Sequence, residues 1–91
     1  MIEIEVLYSG NLVDFYKFDQ HTITVGRDIE NDLVLDALGV RRHHCQVVLG
    51  VISPVEGSVE VNGITVDTVL DLQNGDRIRI GKFVLEVRCI N

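Results

Sequence analysis

Apolar and polar residues alternate along most of this chain, and that two-residue period is the mark of β-strands with one buried face. Ile2, Ile4 and Val6 alternate with Glu3 and Glu5. Val13 and Phe15 flank Asp14, and Tyr16-Lys17-Phe18 continues the run. Ile23 and Val25 alternate with Thr22 and Thr24, and the short run Asp32–Leu35 follows a polar loop. His44–Leu49 is rich in β-formers, and Val51-Ile52 is expected to continue it past Gly50. The rhythm returns in Val59–Val61, Ile64–Val66, Arg77–Ile80 and Phe83–Val87. Ser9-Gly10-Asn11, Asn62-Gly63 and Asn74-Gly75-Asp76 supply turn residues between these runs. No apolar pattern holds a 3.6-residue period for three turns. Short strands separated by close turns predict an all-β sandwich or barrel.

The length of 91 residues fits a single domain, 1–91, with one modest core. No apolar run approaches the roughly 20 residues of a membrane-spanning helix. The opening Met1-Ile2-Glu3-Ile4-Glu5 is acidic where a secretion signal is basic. Both features predict a soluble, cytoplasmic domain that does not insert into a membrane, with room for it to be the cytoplasmic part of a larger membrane-associated protein. The two cysteines, Cys45 and Cys89, are too few and too far apart for a zinc framework or a CxxC motif. They read as free thiols, with one disulfide as the alternative.

A net charge of -6 argues against nucleic acid as a partner, because phosphate-backbone affinity needs a basic footprint. The positive charge is concentrated, however. Arg41 and Arg42 precede His43 and His44, and Arg27 lies upstream, both groups in the two longest irregular stretches, Arg27–Asn31 and Asp36–Arg42. A cationic spot on an acidic domain suits a small anionic group, and loops held by a rigid sheet are where binding usually sits. The plainer alternatives are ion pairs of Arg27 with Asp28, Glu30 or Asp32, and a solvated basic turn at Arg41-Arg42.

Three segments in order give a sharper reading. They are Ile23-Thr24-Val25-Gly26-Arg27 with Asn31-Asp32-Leu33-Val34-Leu35, then Val40-Arg41-Arg42-His43-His44-Cys45, then Val61-Asn62-Gly63 with Gly75-Asp76-Arg77-Ile78-Arg79-Ile80-Gly81. The set resembles the forkhead-associated (FHA) family over about Ile23 to Val87. The resemblance implies a β-sandwich of about ten or eleven short, mainly antiparallel strands that binds phosphothreonine segments of partner proteins through loops at one end. It places Arg27, Arg41 and Arg42 at the phosphopeptide, with Gly26, His44, Asn62 and Gly63 supporting the loops. His44 corresponds to a brace and not to a ligand contact.

Two departures stand out. Arg41 occupies the position of the family's phosphate-binding serine. The stretch Ser53-Pro54-Val55-Glu56-Gly57-Ser58 lacks the Asn that reads the peptide backbone and carries an acid instead. The passage resembles divergent FHA domains of kinesin motors and of type III secretion inner-membrane ring proteins. That likeness implies an alternative role as an assembly scaffold without phosphopeptide binding.

Catalysis is not expected. No nucleophile has a placed base, and no Gly-rich phosphate loop precedes a helix. His43-His44-Cys45 are not expected to converge on a metal, because successive strand residues face opposite ways. No cofactor is implied. Oligomeric state is open, with Ile2–Leu7 as a candidate edge strand for pairing with a second copy.

Overall fold

The computed structural model describes residues 1–89. They form eleven strands and no helix: β1 (Ile2–Tyr8), β2 (Asn11–Phe18), β3 (Thr22–Gly26), β4 (Leu33–Val34), β5 (Cys45–Val48), β6 (Val51–Pro54), β7 (Val59–Val61), β8 (Ile64–Val66), β9 (Leu70–Asp71), β10 (Arg77–Ile80) and β11 (Phe83–Cys89). One sheet has the order β2-β1-β11-β10-β7-β8 and the other β4-β3-β5-β6-β9. All pairings are antiparallel except β3 with β4. The all-β sandwich expected from the alternation is therefore the fold.

The buried members of each alternating run meet between the sheets. Ile4, Val6, Val59, Ile78, Ile80, Leu85 and Val87 face Ile23, Val25, Leu33, Val47 and Ile52 in one buried cluster. Each such side chain contributes about 1.5–3 kcal/mol on burial. Strand directions divide the connections between two poles. β3 ends at Gly26, β5 starts after His44 and β6 ends at Pro54, so the β3–β4, β4–β5 and β6–β7 loops gather at one pole. The β5–β6 and β7–β8 turns lie at the other.

Three features of the chain differ from expectation. Val51-Ile52 does not prolong β5. Leu49 (φ 51°) and Gly50 (φ 78°) reverse the chain, and β6 returns antiparallel to β5. Both φ values are positive, as in the Asn62-Gly63 turn, which is the form that matches strand twist in two-residue hairpins. The alternation carries no information here, because Leu49 is a residue type that seldom takes this conformation. Leu70-Asp71 forms a ninth strand that no alternation announces. Third, Ile2–Leu7 is not an edge: β1 lies between β2 and β11. The edge is β2, whose Leu12, Val13 and Phe15 are exposed. There Asp14 Oδ1 accepts the Phe15 N–H at 2.8 Å. Tyr16 stacks on Phe18 with ring centroids 5.5 Å apart. Burial first, and then the hydrogen bond and charge of Asp14, push the Tyr16 phenol above its ordinary pKa.

Both cysteines are free, Cys45 buried and Cys89 half-buried. Cys45 sits on β5 of one sheet and Cys89 on β11 of the other. Burial pushes the Cys45 thiol from 9.0 up to about 12. A raised pKa means the folded state keeps a proton that the unfolded chain releases. This contribution to stability is whole below pH 9 and is lost as pH rises from there towards 12. Urea unfolding measured from pH 8 to pH 11 should therefore show stability falling, with Cys45 supplying up to about 1.4 kcal/mol for each pH unit above 9. Tyr16 adds a loss of the same sign at higher pH. Cys45→Ala should be less stable than wild type at pH 8 and should show a shallower alkaline fall; parallel pH profiles would contradict the assignment.

Candidate functional site

The β3–β4 and β4–β5 loops are joined backbone to backbone. Arg27 N–H donates to the Arg41 carbonyl (2.9 Å), Asp28 N–H to the Arg42 carbonyl (3.2 Å), and Leu35 N–H to the Gly26 carbonyl (2.9 Å). Asn31 is buried and locks the junction, its Nδ2 donating to the carbonyls of Asp28 (2.8 Å) and Arg42 (2.7 Å). Gly26 is required by this closeness. A Cβ there would collide with the Arg42 carbonyl and lie 2.9 Å from Asn31 Nδ2. Asp32, next in the Asn-Asp pair, turns back to β3, where its carboxylate accepts from Thr24 N–H (2.9 Å) and the Thr24 hydroxyl (3.1 Å).

His44 carries the β6–β7 loop into the same assembly. It is 4% exposed. Arg41 N–H donates to its Nδ1 at 3.0 Å, and Nε2 lies 2.8 Å from the Ser58 carbonyl. An acceptor role at Nδ1 and a carbonyl facing Nε2 fix the neutral tautomer with its proton on Nε2. Both ring nitrogens are thus occupied, and no lone pair is left for a metal. The His44 carbonyl accepts from Val55 N–H (3.0 Å) and Gly57 N–H (3.2 Å), and the His43 carbonyl accepts from Glu56 N–H (3.1 Å). Gly57 lies flat on the imidazole, so that a Cβ at this position would run into the ring. His44 thus bridges the β4–β5 and β6–β7 loops through both ring nitrogens and its carbonyl. Gly57 and Asn31 had no assigned part in the sequence reading, although Asn31 lies in the quoted Asn-Asp element.

These loops enclose an open recess of about 520 Å³ lined by Arg27, Gly39, Val40, Arg41, Arg42 and Glu56. Val40 is buried, while the three arginines are exposed. Among the described residues none of the three takes part in an ion pair; the two pairs formed are Lys17–Glu3 and Arg79–Glu60. Of the three acids that could pair with Arg27, Asp28 Oδ1 accepts from Glu30 N–H (2.9 Å) and Asp32 accepts from Thr24, and neither these two nor Glu30 forms an ion pair with it among the described residues. Glu56 Oε1 accepts His43 N–H at 2.9 Å. Each of the three loops also exposes one apolar side chain: Ile29 (87%), Leu38 (92%) and Val55 (55%).

Asn62 and Gly63 do not join this cluster. β7 leads away from the β6–β7 loop, so their turn stands at the far end of that strand. Asn62 Nδ2 donates to Asp76 Oδ1 (2.9 Å) and Asn62 Oδ1 accepts Arg77 N–H (3.0 Å). Their support goes to the β9–β10 connection and not to the arginine loops. Asn-Gly signals a turn wherever it occurs, so the motif alone could not say at which pole it would stand.

The packing of Gly57 on His44 is open to test. Gly57→Ala should lower unfolding free energy by about 1–3 kcal/mol, the usual range for forcing extra volume into a filled site. Amide hydrogen exchange at Arg41 should accelerate with it, since the ring that accepts this N–H must move. An unchanged urea midpoint would show that the imidazole has room to shift.

A family model described as FHA domain matches residues 23–81. No curated protein is similar enough to count as a match. Solved structures are closely similar in fold. The FHA domain of CT664 from Chlamydia trachomatis superposes with a TM-score of 0.87 at 20% identity, covering 99% of this chain and 98% of that one. The FhaA FHA domain, solved in complex with the intracellular domain of Rv3910, gives 0.83 at 21% identity, covering 97% and 100%. Mycobacterium tuberculosis EmbR, solved with a low-affinity phosphopeptide, gives 0.84 at 28% identity, covering 96% of this chain and 24% of EmbR. This chain spans about a quarter of EmbR. The family match covers well over half the sequence, on the segment that builds the braced arginine loops, and the chain belongs to the FHA domain family.

Proposed function

We propose that this chain is a protein–protein interaction module whose arginine recess takes a phosphothreonine-bearing segment of a partner protein. The observation that carries the reading is the convergence of Arg27, Arg41 and Arg42 on one recess with none of them in an ion pair among the described residues. A phosphothreonine brings about -1.5 to -2 charge and three strong acceptors. Guanidinium groups meet these with paired donors, and charge-assisted bonds of this kind are the strong ones. The backbone joints between the loops hold the three arginines close before any ligand arrives, which lessens the ordering that binding requires. At Arg41, the position that the family resemblance gives to a serine, the chain supplies a charged fork in place of a hydroxyl. Two free thiols and a chain in which no described helix is long and apolar enough to cross a membrane fit a cytoplasmic setting.

A second reading has its own support. Ile29, Leu38 and Val55 add one exposed apolar side chain on each of the three loops, which could be buried against a folded neighbour. In that case the domain serves as a scaffold in a multiprotein assembly such as a secretion system, and phosphate is not needed.

Fluorescence anisotropy with a phosphothreonine peptide library and its unphosphorylated counterparts separates the two. Phosphate-dependent binding is expected, and Arg27→Ala should weaken it by about tenfold to a hundredfold, the worth of a charged hydrogen bond. Capture of a partner that survives phosphatase treatment, with no phosphate-dependent peptide, would overturn the phosphothreonine reading in favour of the scaffold.

A further inference from the structure

The recess is not uniformly cationic. Glu56 lines it beside the three arginines, and its position is fixed: Oε1 accepts the His43 N–H at 2.9 Å while Glu56 N–H donates to the His43 carbonyl at 3.1 Å. This two-way joint keeps the carboxylate at the recess wall. It forms no ion pair with Arg27, Arg41 or Arg42 among the described residues, and Oε2 has no hydrogen bond there. The site therefore offers guanidinium donors and, next to them, an anchored carboxylate that can only accept. A ligand with negative charge at every position, such as an acidic run, places one of its charges against Glu56. A ligand with one phosphate and a cation close by satisfies both parts.

We propose that Glu56 is a specificity-determining residue that makes the recess select a phosphorylated residue with a lysine or arginine within a few positions of it. The inference rests on the phosphothreonine reading of the same recess. Opposite charges at a partly exposed interface attract by up to about fivefold in affinity and like charges repel by a similar factor, so exchanging a flanking Lys for Glu spans about tenfold or more. The carboxylate is also a better acceptor for Lys and Arg than the neutral side chain of Gln.

The test uses one phosphothreonine peptide in two series, with Lys or Glu scanned through the flanking positions, measured by anisotropy at physiological salt. The readout is the ratio of Kd values for the Glu and Lys members at each position. Wild type should favour Lys by about tenfold at one or two positions. Glu56→Gln keeps an oxygen for the His43 N–H and should bring that ratio close to one. Asp71→Asn removes one negative charge from the exposed β9 strand and should leave the ratio as in wild type, which separates a local contact from the general attraction of an acidic domain for cations. If Glu56→Gln retains the wild-type ratio, or lowers it no more than Asp71→Asn does, the role of Glu56 is overturned while the phosphothreonine reading stands. If wild type binds no member of either series in a phosphate-dependent way, both fail together.

Discussion

The site depends on one buried imidazole. His44 is the place where the β4–β5 and β6–β7 loops meet, since Nδ1 takes the Arg41 N–H and Nε2 faces the Ser58 carbonyl. Without the ring, two backbone groups that belong to different loops would be left facing a void, and unmet buried polar groups are expensive. The geometry is strict on both sides. Gly57 has no side chain because the ring lies against it, and Gly26 has none because the Arg42 carbonyl does. A brace of this kind explains how long, exposed loops can present charged side chains in a fixed array without a helix to hold them.

The position of the charges follows from that array. Arg27, Arg41 and Arg42 repel one another, and a flexible loop would let them part or find carboxylates. Here the nearby carboxylates of Asp28, Asp32 and Glu56 are each held by backbone donors. The domain is acidic overall, with a net charge of -6, yet among the described residues no acid forms an ion pair with the three arginines. A recess with three arginines to one carboxylate stands out against such a surface, which favours a small, dense anion over a long polyanion.

Much of the fold was legible in the chain because alternation reports directly which face of a strand is buried. Ile2, Ile4 and Val6, or Ile78 and Ile80, can be assigned inward with no structure, and all are buried. The same rule fails on β2, where Val13 and Phe15 alternate but face solvent, because alternation marks two faces without saying that either is covered. Leu49-Gly50 was missed because its first residue is not a turn former, and β9 because two residues are too few to show a period. Motif order singles out Gly26, Arg27, Arg41, Arg42 and His44, and the fold brings these five together at one pole. Gly57 was not: its role is set by a contact with a residue thirteen positions away. Asn62-Gly63 is legible as a turn, but which loops it supports is decided only by the strand directions, which set it beside the β9–β10 connection.

The edge strand β2 is long and carries exposed apolar side chains, the combination that invites another chain to extend a sheet. The other edges, β4, β8 and β9, have three residues or fewer. At the middle of β2, however, Asp14 Oδ1 already holds the Phe15 amide. An incoming strand would find that donor taken and would have to displace a carboxylate to reach it. The chain thus leaves one sticky border in its architecture and occupies the amide at its centre with a single side chain, a safeguard against runaway stacking.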